Sequence, residues 1–368
     1  MILVAGDASG RLPACTAGLS LPQGIGHDYR ELGMSKIKRF IENMPKAELH
    51  VHLEGTLEPE LKLALANRNG IKLPYKNVKA VKAAYKFHDL TSFLVGYYEG
   101  MSVLVKEHDF YDLTWAYLAK ARSQNVVYAE MFFDPQAHTG RGVAFDTIIR
   151  GIRRAQLDAE IRLGIRSQLI LCFLRDWSAE FAMTTLVQSL PYKEWIIGVG
   201  LDSDERDNPP SKFAKVFARA REEGYLLTMH CDVDQQDSVD HIWQCVRDIG
   251  VGRIDHGVNS LEDEKLCQEI KRRGLGLTVC PISNAYVTDG TKAAAIKTML
   301  DKGMRVTVNS DDPAYFLTYM NENLVRVQEE VDLGRDHLVQ LSRNAFEASW
   351  LPRARKDAYL AELDAFAA

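Results

Sequence analysis

His50 and His52 stand two residues apart in the run Pro45-Lys-Ala-Glu-Leu-His-Val-His-Leu-Glu-Gly-Thr56. On a strand, residues i and i+2 point to one face, so both imidazoles project into the same space while Leu49, Val51 and Leu53 face the other way. That is half of a metal site, or else two histidines alternating along a half-buried strand. Three further apolar runs end in residues of similar chemistry. Tyr225-Leu-Leu-Thr-Met229 leads into His230, Gly252-Arg-Ile-Asp255 into His256, and Met304-Arg-Val-Thr-Val-Asn-Ser310 into Asp311 and Asp312. Four of the ten histidines and a double aspartate at strand ends are hard to obtain from core packing alone, which points to one shared site.

Three neutral imidazoles, His50, His52 and His230, together with the Asp311 carboxylate, suit one zinc ion per chain with a coordination position left open for water. Zinc brings the pKa of bound water to about 7 and so makes a nucleophile available at neutral pH. His256, with an unperturbed pKa of about 6.5, is placed to take that proton or steer the nucleophile. A hydrogen-bonded core histidine is its plain alternative. Asp311 counts both as ligand and as part of the catalytic group, and Asp312 is expected to accept a hydrogen bond from the substrate, with a solvated loop aspartate as the alternative.

Such a set needs a scaffold that gathers strand ends. Strand-like runs at Val126–Phe133, Ser167–Leu174, Trp195–Leu201 and Leu275–Val279 join the four above, and helical spacing separates them, with no low-complexity linker or internal repeat. Leu90, Phe93, Leu94, Tyr97, Tyr98, Met101 and Leu104 repeat at helical spacing and are read as core rather than as a pocket lid. Asp134-Pro-Gln-Ala-His-Thr139 reads as a loop because of its proline. Repeated βα units demand parallel strands with crossover helices, and eight of them close most economically as a barrel with its chemistry at the C-terminal strand ends. The alternative, an open doubly wound sheet, lacks a Gly-rich phosphate fingerprint after an early strand. The expectation is therefore an α/β protein, a distorted (β/α)8 TIM-type barrel with extra helices after strand 1 and at the C-terminus. Residues 35–368 are taken as the single barrel domain and residues 1–34 as a disordered extension, with Met34 as an alternative start.

Lys and Arg number 45 against 50 Asp and Glu, a net charge of −5, and no basic stripe stands out, so a nucleic-acid partner is not expected. Six cysteines without a CxxC pair suit thiols in a reducing cytoplasm. No run reaches the ~20 apolar residues a membrane helix needs, and Met1–Gly33 lacks the basic leader of a signal peptide. The sequence leaves homo-oligomerisation open.

Taken jointly, His50-x-His52, His230, Arg253-Ile-Asp-His-Gly257, Cys280-Pro-Ile-Ser-Asn284 and Asn309-Ser-Asp-Asp-Pro313 resemble the adenosine/adenine deaminase group of the amidohydrolase superfamily. Leu53-Glu-Gly-Thr-Leu-Glu-Pro59, Phe132-Phe-Asp-Pro-Gln136 and Gly200-Leu-Asp-Ser203 are similar to its adenine deaminase branch, and Glu54 stands where adenosine deaminases usually carry aspartate. The resemblance implies a single zinc on His50, His52, His230 and Asp311, attack at C6 of a 6-aminopurine assisted by His256, and Asp312 on a ring nitrogen of the imidazole half. Ammonia, or an amine from an N6-substituted adenine, then leaves. Glu54, Phe132, Gln136 and Ser203 are expected in the substrate pocket, and Asp134 and Glu205 also lie at strand ends.

One position departs from the family. A His-Ala-Gly-Glu run normally places a proton donor three residues past the strand-5 ligand, and here His230-Cys-Asp-Val-Asp-Gln235 puts Val233 there. A positioned acid commonly contributes about 10²- to 10⁴-fold. Either Asp232 or Asp234 does that work, or the substrate is a different aminated heterocycle. Adenosine as substrate and a catalytically weak purine-binding protein complete the alternatives.

Overall fold

Eight of the apolar runs form strands: β1 (Lys46–His52), β2 (Val126–Phe133), β3 (Arg166–Leu174), β4 (Gly198–Asp202), β5 (Leu226–Cys231), β6 (Arg253–His256), β7 (Gly276–Val279) and β8 (Arg305–Val308). These come from a computed structural model that describes residues 36–368 except 232 and 289. The extension expected over residues 1–34, and Asp232, lie outside the described residues. Neighbouring strands pair in parallel in sequence order, β1 through β8. Every residue of β1 and β2 is buried, as a parallel sheet sheathed by helices requires.

The barrel closes between β8 and β1 by one bridge, Val51 to Asp311. Around it the His52 N–H donates to the Asp311 carbonyl (2.9 Å), the Asp311 N–H to the His50 carbonyl (3.2 Å), and the Leu49 N–H to Asn309 Oδ1 (2.9 Å). Lower in the barrel the buried Arg253 guanidinium pairs with Glu130 and lies over the Trp350 ring at 4.4 Å.

The expected extra helices are present. Pro59–Asn69, Val78–Ala84, Leu90–Met101 and Glu107–Ser123 intervene between β1 and β2, and Met320–Val331, Arg335–Ala348 and Arg353–Ala367 follow β8. Two details correct the sequence reading. Pro135–Thr139 is a short helix, not a loop: proline occupies its first turn, where the missing N–H costs nothing. The aromatic helix Leu90–Met101 belongs to a separate core cluster, in which Phe93, Tyr97 and Met101 pack on Ala314, Tyr315 and Phe316, and Leu90, Leu94 and Tyr98 join Phe93 and Tyr97 in lining the cavity at the barrel mouth. Among the described residues no helix is long and apolar enough to cross a membrane.

Candidate active site

Strand ends bring the imidazoles together at the barrel mouth. His50 Nε2 lies 3.2 Å and His52 Nε2 3.4 Å from Asp311 Oδ1, and His52 Nε2 lies 3.1 Å from His230 Nε2. The His256 ring centroid is 4.7 Å from that of His50 and 5.3 Å from that of His230. His256 and Asp311 both have a left-handed backbone (φ 58° and 65°), an uncommon conformation for residues with a Cβ and one concentrated at functional sites.

For His50 the hydrogen bonds behind the ring fix which nitrogen faces inward, and for His230 and His52 a carboxylate stands near Nδ1. The Thr278 hydroxyl donates to Asp255 Oδ1 (2.9 Å), so it must accept from His50 Nδ1 (2.9 Å), and His50 presents a bare Nε2 to the centre. His230 Nδ1 lies 3.6 Å from Asp255 Oδ2, and His52 Nδ1 3.4 Å from Asp202 Oδ2. Thus His230 and His52 have a carboxylate behind Nδ1 and His50 reaches Asp255 through Thr278, an arrangement that prepares histidine as a metal ligand. His50 Nε2 is buried and faces Asp311 Oδ1 across the centre.

Charge agrees with that reading. Burial pushes His52 and His256 down to about 4 and His230 well below its ordinary value, so all three are neutral at neutral pH. For Asp311 burial pushes upward, but its contacts with His50, His256 and His52 outweigh it and hold the carboxyl below its ordinary range. Neutral imidazoles and an ionised carboxylate are the states that coordinate metals.

Above the cluster opens a cavity. Leu90, Phe93, Leu94, Tyr97, Tyr98 and Phe316 form its apolar side, and Asp134, Asp202, Ser203, Asp234, Ser283, Asn284 and Asp312 its polar side. No lysine or arginine is among its lining residues.

The adenosine deaminase family model matches residues 45–366. The chain belongs to the adenosine deaminase family. It is 54% identical over 335 residues to an uncharacterised deaminase of Schizosaccharomyces pombe, covering 91% of this chain and 99% of that one. It is 50% identical to an adenine deaminase of Hahella chejuensis, covering 89% and 98%. The crystal structure of an adenine deaminase from Arthrobacter aurescens superposes with a TM-score of 0.85 at 41% identity, covering 88% of this chain and 99% of that one.

In this family member His50, His52, His230, His256, Asp311 and Asp312 come together at the barrel mouth. Ser203 lines the cavity, with its Oγ 2.8 Å from the Tyr98 hydroxyl, and Asp234 stands exposed at the rim beside half-buried Val233. Glu54, Phe132 and Gln136 are not among the cavity-lining residues. Glu54 Oε1 accepts from the Asp134 N–H (3.1 Å) and faces His138 Nε2 (2.9 Å). Phe132 packs under the His50 and His52 rings at 4.9 and 5.0 Å, and Gln136 Oε1 accepts from the Leu174 N–H (2.8 Å).

The sequence reading missed the meeting of Asp134 with Asp202. One ligand atom each from Asp134, Asp202 and His52 lies within 4.8 Å of the others. Burial, then the charges of Asp202 and Glu54, drive the Asp134 carboxyl well above its ordinary range, and burial pushes Asp202 up to about 7. Burial, then the Asp311 charge, likewise raises Asp312. The only sequence signal was that Asp134 and Asp202 each lie at a strand end.

Proposed function

We propose that this protein is a zinc-dependent deaminase acting on adenine, converting it with water to hypoxanthine and ammonia. The observation that carries this reading is the convergence of inward-facing imidazoles and one carboxylate beneath a small carboxyl-rich cavity. His50, His52, His230 and Asp311 would hold the ion, and three nitrogens with one oxygen suit zinc. When bound, zinc polarises water into a nucleophile near neutral pH.

The chain's own groups do the rest. His256, neutral and beside the cluster, receives the proton that water gives up. Asp312, kept protonated by burial and by Asp311, donates to the acceptor nitrogen of the purine's five-membered ring. Asp234, at the rim, or Asp232 supplies the proton for the ring nitrogen next to the reacting carbon, in place of the family glutamate. Phe93, Tyr97 and Phe316 cover the site and exclude bulk water. The lack of lysine or arginine in the lining argues against a nucleotide, whose phosphate wants a cation. Buried cysteines 172, 231, 245, 267 and 280 are free thiols, which supports a reducing, cytoplasmic setting.

Ammonia release by metal-quantified protein, against adenine, adenosine, N6-methyladenine and aminated non-purine heterocycles, tests the proposal. Adenine should be turned over best. Silence on every purine with activity on another heterocycle would overturn it.

A further inference from the structure

We propose that Asp134, backed by Asp202, determines specificity by pairing with a ring N–H of the five-membered ring, so that a purine substituted at that nitrogen is turned away. The inference rests on the purine reading above.

Asp134 follows β2 directly and is almost fully buried, yet it lies on the cavity wall. Its backbone is fixed from behind. Glu54 Oε1 accepts the Asp134 N–H, His138 Nε2 donates to the same oxygen, and Arg141 donates to His138 Nδ1 (2.7 Å). Arg141 also donates to the Met101 carbonyl (3.0 Å) at the end of the aromatic helix. This chain engages the main chain of Asp134 and leaves its carboxyl to the cavity.

One carboxyl oxygen there is under-used. Asp134 Oδ1 is buried without a hydrogen-bond partner, whereas Asp202 lies beside both Asp134 and His52 Nδ1. Buried polar atoms of native proteins are nearly always paired, and an unpaired one costs free energy that a ligand donor recovers. Asp134 shares its proton with Asp202 behind it, and a donor for Asp134 Oδ1 is left to arrive with the substrate. A free 6-aminopurine carries one N–H on its five-membered ring and one acceptor nitrogen beside it. Asp312, on the β8 side of the mouth, takes the acceptor, and Asp134, on the β2 side across β1, is left facing the N–H. A nucleoside, or any purine alkylated there, offers no hydrogen, leaves that oxygen unpaired, and pushes its substituent toward the Tyr98–Ser203 hydrogen bond.

Leaving a buried acceptor unpaired typically separates two ligands by about 5- to 150-fold. The test compares kcat/KM for adenine and 9-methyladenine, and the Kd of hypoxanthine and 9-methylhypoxanthine by titration calorimetry, in metal-loaded wild type, Asp134→Ser and Asp134→Asn. Wild type should favour the unsubstituted base by at least about fivefold in both measurements. Asp134→Ser should collapse that ratio by weakening only the unsubstituted base. Asp134→Asn, which keeps an acceptor oxygen, should retain part of it and guards against a folding defect in the serine variant. No preference in wild type, or an unchanged ratio in Asp134→Ser, overturns the proposal. If adenine is not deaminated but hypoxanthine still outbinds its 9-methyl form in an Asp134-dependent way, the deaminase reading falls and this one stands. If neither base binds, both fall.

Discussion

Asp255 reaches no part of the cavity, yet it governs how two of the imidazoles point. It accepts from Thr278, which orients His50, and from Thr228 (2.6 Å), and it backs His230 Nδ1. Replacing it with asparagine keeps the size but removes the charge and one acceptor. Asp255→Asn should weaken metal binding about 10- to 100-fold, as loss of a supporting carboxylate typically does. Competition with a chelator of known affinity measures this, and an unchanged affinity would refute the role. At this scale the sequence was legible where chemistry repeats locally: His50 and His52 announce a shared face by their spacing alone. Asp255 could not be read that way. Its partnership depends on registers that place it opposite His230 on β5 and Thr278 on β7. The Asp134–Asp202 pair was hidden for the same reason, and Glu54 was expected at the substrate because a motif position does not show which way a side chain turns.

Elements meet closely at the mouth, and one glycine permits it. A Cβ on Gly55, in the turn after β1, would fall on the Asp312 side chain and within 2.8 Å of its Cα. The turn and the segment after β8 therefore pack backbone to backbone. Gly55→Ala should cost roughly 1–3 kcal/mol through overpacking and push Asp312 out of place. The expected result is a Tm lower by several degrees together with a drop in kcat/KM. An alanine variant with wild-type values of both would mean the approach is slack. Strands were easy to foresee because their apolar runs are short and end in polar residues. The short helices Pro135–Thr139 and Pro281–Val287 were not, because proline marks a loop and a helix start alike. The turn Gln244–Ile249 is π-helical, a departure no periodicity rule foresees.

For the molecule as a whole, the alternation of eight strands with helices was enough to foresee the barrel, since parallel pairing and crossover handedness leave few topologies. What composition does not show is a charge buried outside the site. Lys62 lies between the Tyr85 and Tyr315 rings, at 5.0 and 4.5 Å, and donates to both hydroxyls at 2.8 and 3.3 Å. Burial, opposed in part by the charge of Glu99, lowers it to about 8, whereas an unfolded lysine titrates near 10.4. Between those values the unfolded chain binds a proton that the folded one lacks, so this group makes stability rise with pH across that window. Comparing Tm against pH for wild type and Lys62→Met should show this rise in wild type alone. A wild-type advantage that shrinks from pH 8 to 10 would contradict the assignment.

The seam between β8 and β1 has a bearing on how the protein is made. His50 and His52 emerge early from the ribosome, whereas Asp311, their neighbour across the seam, is translated about 260 residues later; the Leu49–Asn309 bond spans that distance. A nascent chain can offer its first two imidazoles to an ion, but it cannot offer the whole proposed set until nearly everything else has been synthesised and the barrel has come full circle. Loading with metal would then be a late step of biogenesis that only a finished barrel can pass, and a truncated translation product would be left without it.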